Sequence, residues 1–399
     1  MDACDRHVCY GVRHDEQAGL VPERGTTARG LLTLNGGSST VKAGLFTFEP
    51  EPQEIARQSI EGTGAACVPR LQQWLAASAA ALDIVAVGHR IVHGGTLYRA
   101  PCEVTPEVVG NLRSLVPFAP NHLPPEIELL EAAIARYPDA LQCACFDTAF
   151  HASMPEVARR LPLPREFASR GVQKYGFHGL SYAFLMEELR RDAGAQIAGG
   201  RVILAHLGNG CSLAAVHGGR SLDTTMGLTP IGGVIMGTRS GDLDPGVVTH
   251  LGRAAGLSAD ALEDLVSRAS GLLAISGLTS DMKTLLARER SDDACRLAVD
   301  MFAYSVAKAV GALSAALRGV DVIVFSGGIG EHAPVIRSRV LERLTWLGVD
   351  VDAGANETGA RVISTMASRV SVRVIPTDEE RMIARSAVRL AQARDHDVH

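Results

Sequence analysis

The chain has 399 residues, of which 46% are hydrophobic and 21% are charged, and its formal net charge is −5. This balance is typical of a folded globular protein and excludes a disordered chain, while the length favours two or more domains. The net negative charge gives no sign of nucleic-acid binding, and an anionic substrate would need local arginines to attract it.

The first 29 residues are polar and lack the apolar centre of a secretory signal, so we interpret residues 1–29 as an N-terminal extension. The eight cysteines form no C-x-x-C pair, and several lie in apolar runs such as "ALQCACF". Buried free thiols are typical of a reducing compartment, which predicts a cytoplasmic location. No apolar stretch approaches the length that a bilayer requires, so we expect no membrane association.

The first two predicted strands, "LLTLNGG" and "TVKAGLFTF", are joined by a bend that carries Asn35 and Ser38. Both runs alternate like paired strands, which predicts an antiparallel hairpin. The bend lacks the common phosphate-loop pattern G-x-x-x-x-G-K-[ST], and ordinary hairpins also favour asparagine and glycine. On local sequence alone, an ordinary turn is the simpler interpretation.

The next predicted strand, "VAVGHRIVHGG", places Arg90 inside an apolar run, and a helix, "PEIELLEAAIARYP", follows it. A buried arginine is costly unless an anion pairs with it, so Arg90 indicates either an anionic ligand or a structural ion pair. His89 and His93 are about 13 Å apart on a strand, too far to share a metal ion. The buried strand "ALQCACFDTAF" ends at Asp147, a position that favours either a ligand-facing residue or a turn cap.

A second strand–bend–strand unit, "RVILAHLGNGCSLAAV", repeats the N-G-x-S pattern of the first bend. Residues 209–212 match residues 35–38, with apolar strands on both sides in each case. This recurrence predicts two related halves that face each other. Further along, Arg239 lies in a glycine-rich loop with Asp242 and Asp244, where a salt bridge is the structural alternative to anion binding.

The run "MFAYSVAKAVGALSAAL" predicts a helix, with Gly319 as its C-terminal stop. A buried strand then leads into a third glycine loop, whose residues 328–333 fit the dinucleotide pattern G-x-G-x-x-A. Because this match comes late in the chain, we interpret the loop as the adenosine side of a nucleotide site. In the last strand and helix, Thr377 and Glu380 predict a capping box, which leaves Glu379 free for another role.

The glycine bends, the arginines and the separated carboxylates form a coherent set. Phosphoryl transfer needs backbone N–H donors and arginines for the spread charge, carboxylates for Mg²⁺, and a cleft that excludes water. Arg90, Arg239, Asp147 and Glu379 supply these groups together. The set therefore predicts an enzyme that transfers phosphate.

From Leu31 to about Leu390, the chain resembles the acetate kinase family, the acetokinases of the sugar kinase, Hsp70 and actin superfamily. The resemblance rests on ordered motifs that include "NGGSSTVK", "GHRIVHGG", "YGFHGLS", "HLGNGCSLAAV", "GTRSGDLDPG", "FSGGIGE" and "IPTDEE". It implies an α/β fold of two actin-like (ribonuclease H-like) domains with mixed, duplicated sheets and the nucleotide in the interdomain cleft. The implied boundaries are 30–150 with 378–399 for domain I, the acyl and phosphate side, and 151–377 for the nucleotide-binding domain II.

The resemblance also implies an activity. It implies an enzyme that interconverts ATP plus acetate with ADP plus acetyl phosphate by direct in-line transfer, with Mg²⁺ or Mn²⁺ as cofactor. It implies a homodimer whose small-molecule partners are a carboxylate and ATP or ADP, with no nucleic acid and no membrane. Three alternatives stay open: a kinase that prefers propionate or butyrate, an NAD-dependent oxidoreductase built on the third loop, and a non-catalytic actin-like module.

Roles are carried over by motif, as the resemblance implies them. The implied catalytic residues are Arg90, Asp147, His178, Asn209 and Arg239. The implied acid pocket consists of Val92, Asn121, His122, Phe177 and Pro230. The implied nucleotide and phosphate residues are Asn35, Ser38, Ser39, Lys42, His206, Gly208, Asn209, Gly210, Asp281, Met282, Lys283, Gly328, Ile329, Gly330 and His332. The implied Mg²⁺ site consists of Asn35, Asp147 and Glu379.

Three motifs depart from the family pattern. Asn121 stands where the family has the leucine of "APLH", and we expect its polar side chain to shrink, wet or reshape the acid pocket. The family's "HGTSH" reads "HGLSY" here and ends at Tyr182, and His332 replaces the asparagine of "GIGEN". These changes leave the preferred acid and the preferred nucleotide open.

Overall fold

A computed structural model of the protein describes residues 27–37 and 40–397. The predicted N-terminal extension lies outside the described residues except for its end, where the first strand begins at Ala28, two residues before the predicted boundary. Ser38 and Ser39, predicted to bind phosphate, also lie outside the described residues.

The first sheet is mixed and has the strand order β3-β2-β1-β4-β6-β5. Its strands are β1 (Ala28–Gly36), β2 (Thr40–Thr47), β3 (Glu54–Glu61), β4 (Leu82–Ile91), β5 (Cys102–Glu103) and β6 (Leu141–Phe146). The first three strands form an antiparallel meander, and β4 and β6 then run parallel to β1. The predicted hairpin and both later strands of this half are confirmed.

The second sheet repeats this arrangement in the order β9-β8-β7-β10-β11. Its strands are β7 (Arg201–Leu207), β8 (Cys211–His217), β9 (Arg220–Thr224), β10 (Val322–Ser326) and β11 (Ser371–Val374). The meander is again antiparallel, and β10 and β11 again run parallel to the first strand of the unit. The sequence expectation of two related halves is therefore confirmed at the level of topology.

Helices of the described residues pack on both faces of the sheets, and short 3₁₀ turns lie at Gly64–Cys67, Val116–Phe118, Ala149–Ser153 and Thr345–Leu347. The α-helices are α1 (Val68–Ser78), α2 (Pro106–Ser114), α3 (Leu123–Arg136), α4 (Glu156–Arg159), α5 (Arg165–Ser169), α6 (Gly179–Ala193), α7 (Ala195–Ala198), α8 (Pro245–Ala254), α9 (Ala259–Arg268), α10 (Gly271–Ser276), α11 (Met282–Arg288), α12 (Asp293–Leu317), α13 (Gly327–His332), α14 (Pro334–Glu342), α15 (Ala353–Thr358) and α16 (Glu379–Asp397).

The core forms three layers, because alternate residues of each strand point to opposite faces of its sheet. Leu31 of β1 packs into a cluster with α6 and α16, whereas its neighbour Leu32 packs on the other face with α1 and α3. In the second sheet, Val202 faces the same cluster as Leu31, and Ile203 faces the side of α12. Helices α6 and α16 thus lie between the two sheets and join them.

Helix α12 corrects the expectation that no segment is apolar enough to span a bilayer. Its 25 residues pass that test by length and mean hydropathy. Its apolar face, which includes Phe302, Val306 and Val310, is buried in the cluster on the outer side of the second sheet. Helix α12 is therefore a core helix of this fold. Arg318 takes the left-handed conformation that ends the helix, directly before the predicted stop at Gly319.

The predicted capping box at the start of α16 is wrong. Asp378 caps this helix, with its Oδ1 accepting a hydrogen bond from the Arg381 N–H at 3.0 Å. Thr377 instead donates to Ser181 Oγ, and the carboxylate of Glu380 accepts from Asn35 and Arg57. The two side chains whose spacing predicted a capping box, Thr377 and Glu380, are thus hydrogen-bonded to residues that are distant in the sequence.

Candidate active site

A cavity of about 470 Å³ opens where the strand ends of both sheets meet. It is lined by residues that the sequence predicted, namely Asn35, Lys42, Arg90, His178, His206, Gly208, Asn209, Gly210, Gly328 and Glu379. It is also lined by residues that the sequence analysis did not single out as site residues, namely Gly37, Thr40, Arg57, Gly327, Glu331, Thr377 and Glu380. The two glycine bends and the third glycine loop therefore converge on one cavity.

The second bend allows a close approach of backbone to functional side chains. A Cβ on Gly210 would lie 3.2 Å from Arg239 Nη1 and 3.3 Å from His178 Nε2. Either contact is tighter than normal packing, so glycine keeps this surface open. Gly208 N–H bonds to the Gly210 carbonyl at 3.1 Å, and this bond shapes the bend.

Arg90 is buried, and on its protein side it is paired with Asp147. Its Nη2 lies 2.6 Å from Asp147 Oδ2, and its Nη1 donates to the Gly36 carbonyl and lies 3.6 Å from Glu126 Oε1. The structural ion pair that the sequence left open is therefore present. Because Arg90 also lines the cavity, its ion pair with Asp147 fixes the guanidinium at the cavity wall, where an anion would bind.

Arg239 has a different environment. Its Nη1 donates to the Pro230 carbonyl at 3.1 Å, and it has no carboxylate partner among the described residues. The candidate partners from the sequence are engaged elsewhere, since Asp242 accepts from Gly233 N–H and Asp244 from Gly246 N–H. Burial lowers the pKa of Arg239, and the nearby Arg90 adds to this effect. A buried cation without a counter-ion is costly and indicates a site for an anion.

His178 and His206 stack on each other at the cavity wall, with ring centroids 4.3 Å apart. Burial lowers the pKa of His178 well below its usual range, and His206, Arg239 and Arg90 lower it further. Burial also lowers the pKa of His206. Both imidazoles are therefore neutral near pH 7. The backbone of His178 is left-handed, with φ of 60°, a conformation that is uncommon outside glycine and clusters at functional sites.

Of the predicted metal ligands, Asn35 and Glu379 line the cavity, whereas Asp147 is buried, is paired with Arg90 and is not part of the lining. Burial raises the pKa of Asp147, while Arg90 opposes this shift and Glu379 adds to it. Burial alone would raise the pKa of Glu379, but Arg90, His206 and the hydrogen bond from Asn35 hold it below its usual value. Asn35 Nδ2 donates to both Glu379 Oε2 and Glu380 Oε1 at 2.9 Å, so its amide organises the two carboxylates.

The donor set fits Mg²⁺. Asp147 Oδ1 is buried and has no hydrogen-bond partner among the described residues. A carboxylate oxygen in this state is costly, and a hard cation would satisfy it. The part of the chain that the structure describes holds no group of three or more His, Cys, Asp or Glu suited to a metal. Mg²⁺ does not need one, because it is commonly held by one or two carboxylates together with substrate phosphates.

A second cavity of about 390 Å³ lies beside the first, and Arg239 lines it. Asn121, His122 and Pro230 of the predicted acid pocket line it too, together with Phe118, Ile231, Val248, Leu262 and Val266. The predicted Val92 and Phe177 are buried and do not line it. Burial lowers the pKa of His122 to about 4, and Arg90, Arg239 and Arg268 contribute to the shift.

Asn121 is exposed and turned toward helix α9. Its Nδ2 donates to Glu263 at 3.1 Å, and its Oδ1 accepts from Arg268. Helix α9 therefore satisfies both ends of the amide, and Asn121 links the start of α3 to α9 beside the second cavity. Its effect on the acid pocket stays a prediction.

The residues predicted for the nucleoside do not line either cavity, apart from Gly328. Asp281 caps α11 by accepting from the Thr284 N–H, and Met282 is buried in the core. Lys283 and His332 are exposed. The remaining two, Ile329 and Gly330, lie inside helix α13. Their role in nucleotide binding stays a prediction.

Sequence reasoning missed Glu126, although a signal was available. Glu126 shares the buried face of α3 with Leu123, Ile127 and Leu130, and a carboxylate on an apolar helix face needs a partner. Arg57 had no comparable signal. It lies on a mostly exposed strand, and only the fold brings it to Asp378 and Glu380.

Comparisons with known proteins agree with one another. A sequence model of the Acetokinase family matches residues 63–385. A Rhodopseudomonas palustris (strain TIE-1) protein named Acetate kinase is 45% identical over 394 residues, which cover 90% of this chain and 98% of that protein. The crystal structure of Porphyromonas gingivalis acetate kinase is 35% identical with a TM-score of 0.83, over 91% of this chain and 100% of that one. A propionate kinase from Francisella tularensis subsp. tularensis SCHU S4 is 32% identical with a TM-score of 0.85 over the same shares.

Proposed function

This chain belongs to the acetokinase family, and from that premise we propose that it is an enzyme that phosphorylates acetate with ATP, reversibly, to give acetyl phosphate and ADP. The observation that carries the proposal is the position of Arg239. Its guanidinium lines the mainly apolar second cavity and also lies against Gly210 of the polar first cavity. A small acid in one cavity and a nucleotide phosphate in the other would therefore meet at this cation.

The first cavity suits the polyphosphate of ATP. Backbone N–H groups of the glycine bends and the side chain of Lys42 supply donors and positive charge to phosphate oxygens. Arg90 and Arg239 would hold the carboxylate and the phosphoryl group in line and stabilise the charge that spreads over the phosphoryl oxygens during transfer. His178, neutral and buried, would donate a hydrogen bond to the same oxygens, with Asn209 beside it.

We propose that Asp147 and Glu379 hold Mg²⁺ together with the nucleotide phosphates, with Asn35 orienting Glu379. Bound Mg²⁺ would neutralise charge on the β- and γ-phosphates. Mn²⁺ has the same preference for oxygen ligands and would occupy the same site.

The preferred acid is acetate in this proposal, and propionate is the closest alternative. The apolar side chains of the second cavity suit a short alkyl group. The structural similarity to a propionate kinase supports the alternative. An oxidoreductase built on residues 328–333 is less consistent, because Gly328 lines the same cavity as the two phosphate bends.

We further propose a cytoplasmic homodimer with two domains divided as the sequence predicts. All six cysteines in the described part of the chain are free, which suits a reducing compartment. Exposed apolar side chains support a subunit interface, namely Leu297, Met301 and Tyr304 on α12 and Trp346 in the 3₁₀ turn Thr345–Leu347. The mass in solution, measured by light scattering, tests the dimer.

The activity is tested by trapping the product. The protein is incubated with Mg·ATP, hydroxylamine and acetate, propionate or butyrate in turn, and the hydroxamate formed from an acyl phosphate is measured. We expect hydroxamate with acetate at the highest kcat/KM, and none without ATP. A preparation of Arg239→Ala, purified in the same way, excludes a contaminating kinase. The absence of hydroxamate with every acid would contradict the proposal.

A further inference from the structure

Two buried hydroxyl groups form a hydrogen-bonded series that ends at His178 Nδ1. Ser212 Oγ lies 2.9 Å from His178 Nδ1, and the hydroxyl of Tyr182 lies 2.5 Å from the same Ser212 Oγ. Tyr182 and Ser212 are fully buried. The sequence carries tyrosine here where the resembling family has the histidine of "HGTSH", so this chain has its own group at the far end of the series.

The direction of these hydrogen bonds follows from what each group can still donate. Among the described residues, Ser212 is the hydrogen-bond partner of the Tyr182 hydroxyl. If Ser212 donated to Tyr182, the buried phenol proton would have no acceptor there, which costs free energy. With Tyr182 as donor, Ser212 uses its own proton on His178 Nδ1. A neutral imidazole that accepts at Nδ1 carries its proton on Nε2.

The stacked His206 is held in the same way by different residues. Thr377 donates to Ser181 Oγ at 2.8 Å, and Ser181 Oγ lies 2.9 Å from His206 Nδ1. Both imidazoles therefore turn Nδ1 toward a serine. The opposite edge of each ring faces the second glycine bend, with His178 Nε2 near Gly210 and His206 Nε2 near Gly208. Two pairs of hydroxyl groups on different elements thus orient two rings alike.

Given the proposed function, we propose that Tyr182, acting through Ser212, is a positioning residue that keeps the proton of His178 on Nε2, facing the phosphoryl group. An Nε2–H donates to a phosphoryl oxygen, whereas an Nε2 lone pair would repel it. An imidazolium would donate from both nitrogens, but a neutral ring donates only from the nitrogen that its neighbours select.

The tautomer is measured directly in the free enzyme. Protein labelled with ¹⁵N-histidine is examined by two-bond proton–nitrogen NMR, which shows which ring nitrogen carries the proton, and His178→Gln assigns the signals. We expect Nε2–H in the wild type. In Tyr182→Phe, which removes only the hydroxyl, we expect a mixture of tautomers and a fall in kcat of about tenfold with KM for ATP and acetate nearly unchanged.

Tyr175→Phe is the matched control. The Tyr175 hydroxyl is hydrogen-bonded to the Gly171 carbonyl at 2.8 Å and is not part of either series, so its loss should change neither the tautomer nor kcat. Ser212→Ala provides a second variant if Tyr182→Phe does not fold, and it should also release the proton from Nε2. A proton on Nδ1 of His178 in the wild type, or an unchanged tautomer in both variants, would overturn the proposal.

The NMR measurement does not depend on the reaction. If the wild type forms no hydroxamate with any acid, the proposed function fails, while the spectrum still decides whether Tyr182 and Ser212 set the tautomer.

Discussion

The carboxyl group of Glu126 lies 3.6 Å from the guanidinium of Arg90, measured from Oε1 to Nη1, and both side chains are largely buried. Glu126 Oε2 accepts from the Val92 N–H at 2.9 Å, directly after β4 ends, so one side chain contacts the residues on both sides of Ile91. Burial raises the pKa of Glu126 to about 8, although Arg90 opposes this shift. Glu126 is therefore protonated in the native state near neutral pH.

The stability of the fold should depend on pH through Glu126. An unfolded glutamate loses its proton near pH 4, so between about pH 5 and pH 8 the native state holds a proton that the unfolded state has lost. In that window each unit of rising pH lowers the free energy of unfolding by up to about 1.4 kcal/mol. Glu126→Gln removes this dependence, so the wild type should lose stability relative to the variant as pH rises from 5 to 8.

Urea unfolding at a series of pH values measures the difference. Glu131→Gln, an exposed position on the same helix, is the control and should give a curve parallel to the wild type. Curves for Glu126→Gln and the wild type that stay parallel across the window would show that Glu126 is ionised in the native state.

Most of the fold was predictable because it depends on short-range patterns. The alternation of apolar residues predicted β1 and β2, and apolar runs on both sides of the second bend predicted β7 and β8. The repeated N-G-x-S bend predicted the duplication. The start of α16 was not predictable in this way. Thr377 and Glu380 have the spacing of a capping box, yet hydrogen bonds with Ser181, Asn35 and Arg57, which are distant in sequence, engage both side chains.

The candidate site was predictable to the extent that its residues lie next to glycine bends. Asn35 and Asn209 were found because the repeated bend drew attention to them, whereas His206 came from the family resemblance. Glu126 was missed and the partners of Asn121 were not foreseen, since those partners lie on or next to β4 and on α9, and no local pattern shows which elements meet. The orientation of a side chain depends on those contacts and not on its position in a motif.

Arg239→Ala should abolish most activity without weakening the fold. We expect kcat/KM to fall by at least about 100-fold, because a charge that stabilises the transferring phosphoryl group is lost. The buried guanidinium has no carboxylate partner among the described residues, so its removal leaves no counter-ion stranded. The midpoint of thermal unfolding should therefore stay the same or rise, as measured by circular dichroism.

Arg337 offers the comparison. It is also buried, but it donates to Asn356, to the Gly330 carbonyl and to the Glu331 carbonyl. Arg337→Met should destabilise the fold by about 3 kcal/mol, because these acceptors lose their donor. If Arg239→Ala destabilised the protein as much as Arg337→Met, Arg239 would be a structural residue.

The second cavity should set the choice of acid through its apolar wall and not through Asn121. Ile231→Ala shortens a side chain of this wall and so enlarges the cavity. We expect the ratio of kcat/KM for propionate to kcat/KM for acetate to rise about tenfold, since one methylene is worth about 1–3 kcal/mol. In Asn121→Ala the ratio should change by less than about threefold, because the amide is bonded to Glu263 and Arg268. The hydroxamate assay measures both ratios. A large change in Asn121→Ala with none in Ile231→Ala would place the acid against Asn121 instead.

Glu379 and Glu380 are neighbours with the same asparagine partner, and they should differ in their effect on the metal. Glu380 is buried and paired with Arg57, and burial raises its pKa, whereas the pKa of Glu379 is held below its usual value. Glu379 therefore presents the ionised carboxylate to the cavity. Glu379→Gln should raise the Mg²⁺ concentration needed for half-maximal activity by about tenfold or more, since a charged ligand is lost.

Glu380→Gln is the matched variant, because it keeps an oxygen for the Asn35 amide and leaves Glu379 in place. Its Mg²⁺ requirement should stay within about twofold of the wild type, although the loss of the Arg57 ion pair should lower stability by about 1 kcal/mol or more. The measurement is a Mg²⁺ titration of initial rates at saturating ATP and acetate. If both variants raised the Mg²⁺ requirement equally, the metal would be held by the Asn35–Glu379–Glu380 cluster as a whole. If neither variant changed it, Glu379 would not be a metal ligand.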